Sequence, residues 1–124
     1  MYHKVNWEDK GVYIQFKGVI DLTQFISASH EIESDKRFKD IQYVINDFLN
    51  VDQFLVTEKE AELFSVREKS RKLSHVIIKM AFITTKPEIK QLCEIYIENA
   101  KLIKIPWEYN IFSSIEEMRE WIEQ

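Results

Sequence analysis

Two stretches of this 124-residue chain are apolar almost without interruption, residues 41–48 and residues 76–84. Neither shows the strict alternation of a strand with one wet face, and both fall far short of the ~20 residues that span a bilayer. A near-continuous apolar run of this length is what a strand covered on both faces looks like, and such strands belong to parallel sheets held between helix layers. The two runs are separated and followed by helical patterns. Alternating units of that kind need crossover connections, so the chain reads as α/β with a mostly parallel sheet.

The remaining elements fit around that pair. Val12, Ile14 and Phe16 alternate with Tyr13, Gln15 and Lys17, a half-buried strand. An earlier strand, about residues 2–7, reaches it through the turn Glu8-Asp9-Lys10-Gly11, where glycine can take a positive φ. Trp107, Tyr109 and Ile111 alternate again beyond Pro106. Four positions carry a small polar residue followed three places later by Glu or Gln: Asp21 with Gln24, Thr57 with Glu60, Thr85 with Glu88, and Ser114 with Glu117. Each is a capping-box signature for a helix start. The helices expected behind them cover about residues 22–33, 58–73, the stretch after Thr85, and the C-terminal segment containing Ile115, Met118, Trp121 and Ile122. Helix three shows the cleanest stripe (Ile89, Leu92, Cys93, Tyr96, Ile97, Ala100), with Pro87 tolerated in its first turn. Helix two is untidy, because Ala61, Leu63, Phe64 and Val66 spread around the cylinder. The order is ββαβαβαβα, five strands and four helices, with strand neighbours left open. No linker or composition shift divides it, so residues 1–124 are expected to form one domain.

Composition narrows the function classes. With Gly11 and Gly18 as the only glycines, neither a dinucleotide fingerprint nor a phosphate-cradling loop can be written. A single cysteine permits no internal disulfide and no Cys-Cys zinc spacing. Seventeen basic against 21 acidic residues, a net charge of −4, give no general drive toward nucleic acid. The N-terminus has no apolar leader, so a cytoplasmic protein without a transmembrane segment is expected, and no cofactor is implied.

Four segments stand out: Gly18-Val-Ile-Asp-Leu-Thr-Gln-Phe, Tyr43-Val-Ile-Asn-Asp-Phe, Lys79-Met-Ala-Phe-Ile-Thr, and the ending Ile111-Phe-Ser-Ser-Ile-Glu-Glu-Met-Arg-Glu-Trp-Ile. Together they resemble the SpoIIAA-like branch of the STAS superfamily. The resemblance implies a mixed sheet with four helices, akin to anti-sigma-factor antagonists and more distantly to CRAL-TRIO lipid carriers. In the antagonists a Ser in an Asp-Ser-Ser-Gly turn at the start of the second helix is phosphorylated and faces a kinase partner. The corresponding turn here is Asp52-Gln-Phe-Leu-Val-Thr57, which lacks Ser-Ser-Gly and leaves Thr57 as its one phosphorylatable residue.

The side chains themselves offer several candidate sites. Thr57 is read as a helix cap, and an added phosphate there would meet Glu58 and Glu60. Phe54, Leu55, Val56 and Thr57, with Leu63 and Phe64 on the following helix, are the candidate surface for a protein partner, a second copy or an apolar ligand; the plainer alternative folds the loop inward as core. Arg67, Lys69, Arg71 and Lys72 are read as a solvated helix end that complements the dipole. Asp21, Asp47 and Asp52 are assigned turn and cap duty, since paired catalysis needs a convergence that sequence does not show. His3, His30 and His75 have no ligand spacing, and Cys93 is expected to be a buried, inert thiol. The expected function is therefore a non-enzymatic regulatory or protein-interaction module. The alternative is a small carrier or sensor holding an apolar ligand, such as a lipid, between helix and sheet.

Overall fold

The computed structural model describes residues 2–70 and 77–124. Its elements are β1 (His3–Trp7), β2 (Gly11–Ile20), α1 (Leu22–Glu33), a short 3-10 helix (Lys36–Asp40), β3 (Tyr43–Phe54), α2 (Glu58–Lys69), β4 (Lys79–Ile83), α3 (Pro87–Leu102), β5 (Glu108–Phe112) and α4 (Ile115–Ile122). The five strands lie side by side in chain order, with β2 to β5 parallel and β1 antiparallel on the edge. This is the expected ββαβαβαβα arrangement. Its two apolar runs supply neighbouring strands, with Val44 beside Met80 and Ile45 beside Ala81.

Sequential parallel order dictates where the helices go. Every crossover steps across the sheet in the same direction, so crossovers of one hand all return over one face. Accordingly Phe25, Ala28 and Ile32 of α1, Ala61 and Phe64 of α2, and Ile89, Cys93, Tyr96 and Ala100 of α3 share one core with Val12, Ile14, Phe16, Val44, Phe48, Met80 and Phe82. Among the described helices, α4, which follows the last strand and owes nothing to a crossover, covers the opposite face. There Met118 closes a small cluster with Ile45, Ala81 and Ile83. Helices thus cover both faces at β3 and β4, whereas on β2 Gln15 is half-buried and Lys17 exposed.

Several local expectations are corrected. Positive φ falls at Gly18 (78°), where β2 and β3 slip register, and not at Gly11. Gly11 is required for space, because a Cβ there would sit 2.5 Å from the Tyr43 ring. The third helix is capped at Lys86 without a side-chain bond, so the Thr85–Glu88 box does not form; Pro87 occupies the first turn, and the Thr84 hydroxyl accepts from the Lys86 amide at 3.1 Å. Asp21 and Thr57 do form complete boxes. Ser114 caps α4 by accepting from the Glu117 amide, while Glu117 takes the Ser114 hydroxyl. Strand β3 runs on to Phe54 because Val51 is buried beyond residue 48, which puts Asp47 mid-strand and Asp52 within the strand rather than at its end. In the second run Ile78 is buried but Ile77 is 65% exposed, so the covered strand begins later than the apolar pattern. Helix α2 ends at Lys69; Arg71, Lys72, Leu73, His75 and Val76 lie outside the described residues.

Candidate functional site

The β3–α2 corner is built by two opposing demands on a short stretch of chain. Leu55 leaves the sheet after its amide donates to the Ile20 carbonyl at 2.7 Å. Val56 then turns inward and is buried, and Thr57 caps α2 by accepting from the Glu60 amide at 3.1 Å. The Glu60 carboxylate accepts in return from the Thr57 amide at 2.9 Å. Inside, Phe64 packs on Phe25 with ring centroids 4.8 Å apart, and Phe54, half-buried, packs on Phe48 at 5.1 Å.

The six candidate surface residues therefore part company. Val56 and Phe64 belong to the core and Phe54 lines it, whereas Leu55 and Leu63 are each 55% exposed and Thr57 is exposed. Val66, one turn beyond Leu63, is 53% exposed and joins them on the outer face of α2. The inner face is completed by Ser65 and Glu68 instead. Ser65 donates to the Glu62 carbonyl at 2.6 Å, and the Tyr96 hydroxyl donates to Glu68 at 3.1 Å. Polar groups satisfied in this way can occupy a core face, and that is why the helix looked patternless.

A small cavity lies between helices and sheet, lined by side chains that include Phe25, Phe48, Phe54, Phe64 and Cys93. Its volume is about 40 Å³, room for about three waters when each needs about 10–15 Å³. No lipid chain fits beside these rings as they are packed. Cys93 itself is buried, and burial together with the nearby Glu94 charge pushes its thiol well above the ordinary range.

The carboxylates do not converge. Asp21 caps α1, Asp52 is exposed near the end of β3, and Asp47 is buried on the α4 side of the sheet. Five residue steps along the strand separate Asp47 from Asp52, roughly 17 Å at the usual rise. Among the described residues, no group of three His, Cys, Asp or Glu is set to hold a metal. His3 pairs with Glu31 at 2.8 Å, and His30 is exposed.

A polar cluster on the α4 side went unread in the sequence. The Tyr13 hydroxyl donates to Asp47, whose other oxygen accepts from the Leu49 amide at 2.9 Å. Arg119 of α4 forks onto Glu8 with both contacts at 2.7 Å, and the Tyr43 hydroxyl donates to the same carboxylate. The Arg119 bond holds Glu8 below its ordinary value of 4.5, with Tyr43 acting in the same direction against a smaller burial effect. Burial first, and the Glu8 bond second, push Tyr43 up to about 12. The Tyr13 phenol is raised by burial and then by Asp47. These groups hold one another, and what they achieve is the docking of α4. The one advance signal was Asp47 itself, since an acid within a doubly covered run must find a partner.

The backbone arrangement matches solved structures over nearly its whole length. The unphosphorylated form of the anti-sigma factor antagonist SpoIIAA aligns with a TM-score of 0.60 at 11% identity, covering 98% of this chain and 97% of that one. The phosphorylated form of the Bacillus cell fate determinant SpoIIAA gives 0.60 at 11% identity, covering 97% and 98%. The chain has a SpoIIAA-like fold. A third structure, an uncharacterised DUF3478-family protein with a SpoIIAA-like fold from Shewanella loihica PV-4, aligns at 0.58 with 11% identity, covering 97% and 91%. No family model matches the sequence, and no curated protein does. At 11% identity the likeness establishes fold and nothing finer. Among the described residues of this SpoIIAA-like fold, no helix is long and apolar enough to cross a membrane.

Proposed function

We propose that this protein is a non-enzymatic regulatory module that binds a protein partner through the β3–α2 corner and the outer face of α2. The observation that carries the reading is the exposure, more than half of each, of Leu63 and Val66 on α2 and of Leu55 in the connection that leads into it. Single apolar residues at a surface are ordinary, but leucine and valine one helical turn apart on an outward face form a patch. Phe64 and Val56 anchor that element from inside, so the patch is presented on a rigid helix. The fold adds support. One neighbour is named for antagonising an anti-sigma factor, an action directed at another protein. Thr57 stands where the resemblance places the antagonists' phosphorylated turn, although here its hydroxyl is committed to the Glu60 amide and two glutamates occupy the first turn.

The test is a photo-crosslinking side chain placed at Leu63 in cells producing the protein, with Gln91, exposed on α3, as the control position. Discrete adducts specific to position 63 are expected. Identical adduct patterns at the two positions would overturn the reading.

A further inference from the structure

We infer that the partner fitted to the outer face of α2 is a second copy of this chain, docked α2 against α2 in antiparallel fashion. The inference rests on the reading of that face as an interaction surface, and it comes from how charge is ordered along the helix. Glu58, Glu60 and Glu62 outnumber Lys59 in the first half of α2, and Arg67 and Lys69 stand in its last turn on either side of the buried Glu68. A half-turn about an axis between Leu63 and Val66 brings each end of the helix over the opposite end of its copy. Leu63 then meets the copy's Val66, and the two apolar side chains of each protomer form the centre of the contact.

The flanks agree with that placement. Glu62 and Lys69 lie on the same side of α2, the side facing α3: the Asn99 amide donates to the Glu62 carbonyl at 3.1 Å, and Lys69 donates to the Ile103 carbonyl. In an antiparallel pair related by a two-fold axis, like flanks face each other. Glu62 of one chain therefore faces Lys69 of the other, twice by symmetry. Lys59, on the outer stripe with Leu63 and Val66, comes over the copy's Ser70 at the helix C-terminus, where the dipole favours a cation. Lys59, Glu62, Lys69 and Ser70 are all exposed. A parallel pairing would instead set glutamates against glutamates. On the opposite flank Arg67 is already forked onto Glu33 at 3.0 and 3.2 Å, so it braces α2 against α1 and leaves the outer stripe to do the docking. A contact of one twelve-residue helix per chain is smaller than the roughly 1,200–2,000 Å² of a standard interface, so the dimer is expected to be reversible and dependent on concentration.

Sedimentation velocity over a concentration series tests the arrangement. The wild type should shift from monomer to dimer as concentration rises. Leu63→Asp should remain monomeric with an unchanged circular-dichroism spectrum, since the residue is outside the core. Glu62→Lys sets like charges together at two symmetric places and should weaken the dimer about tenfold at low salt. Adding Lys69→Glu to it should restore the dimer. A wild type that stays monomeric throughout, or a dimer indifferent to the Glu62→Lys change and its compensation, would overturn the inference. The outcome is separable from the reading beneath it. Adducts at position 63 with other proteins and none with a second copy leave the interaction face standing and remove self-pairing.

Discussion

Lys104 has φ of 64°, a conformation that side chains with a Cβ adopt at a cost. The reason lies in how α3 stops. The Ile105 amide donates to the Ala100 carbonyl at 3.0 Å and the Lys104 amide to the Lys101 carbonyl at 3.1 Å, the paired bonds of a Schellman ending. Ile105 and Ala100, both buried, supply the apolar contact that goes with it. Glycine is the usual occupant of the left-handed position, so Lys104→Gly should stabilise the protein by about 1 kcal/mol, read as a higher urea midpoint at constant slope. At Gly11 the argument runs on volume. A methyl group 2.5 Å from the Tyr43 ring must push that ring aside, and with it the hydroxyl that donates to Glu8. Gly11→Ala should cost about 1–3 kcal/mol. If Gly11→Ala unfolds at the wild-type urea midpoint, the close approach is not what that position requires. Sequence pointed to Gly11 as the residue needing freedom because it ends a polar turn. Nothing in the local pattern marks Gly18, since a register slip between β2 and β3 depends on two segments at once.

At the scale of elements the sequence was legible where periodicity and burial coincide. Helix α3, whose buried residues Ile89, Cys93, Tyr96 and Ala100 recur at threes and fours, is such a case. It was illegible in α2, where Ser65 and Glu68 face inward on hydrogen bonds and Leu63 and Val66 face out. Hydropathy ranks those four residues the wrong way round, and contacts with Glu62, Asn99 and Tyr96 account for the inversion. Strand order was also beyond reach, because sandwiched strands carry no mark of their neighbours. Helix α4 was anticipated as an amphipathic segment, but its polar fastening was not. It is held by Met118 in the core, by the Arg119 fork on Glu8, and by Lys79, whose ammonium donates to the Trp121 and Gln124 carbonyls at 2.9 Å each. The Glu8 carboxyl ionises more readily when folded than its value of 4.5 unfolded. Its contribution is thus complete above about pH 4.5 and fades as pH falls through the lower folded value. Glu8→Gln should remove that part of the acid sensitivity, giving a shallower loss of thermal midpoint below about pH 4.5 than the wild type shows. Parallel pH profiles for the two proteins would contradict the role given to the fork.

The molecule as a whole is lopsided, and that asymmetry has a mechanical consequence. On the three-helix side, aromatic rings run in near-continuous contact from Phe16 and Phe25 through Phe48, Phe64, Phe82 and Tyr96 to Tyr109. Removing any ring from such a chain disturbs three helices and the sheet together. The α4 side has four fully enclosed apolar residues among those described, fringed by half-buried residues that include Tyr13, Tyr43, Phe112, Trp121 and Ile122. A helix of eight residues cannot hold its shape alone, so its stability is borrowed from that small contact. The two faces should therefore open at different free energies. In native-state hydrogen exchange, the α4 amides should exchange through a local opening well below the global unfolding energy, while β3 and β4 amides exchange at the global limit. Met118→Ala should lower protection in α4 and leave the sheet nearly as protected as before. Phe64→Ala, at about 3–5 kcal/mol, should lower protection everywhere by a common amount. If Met118→Ala instead depresses the sheet and α4 equally, the two faces are one cooperative unit, and α4 is as much a part of the core as the helices opposite.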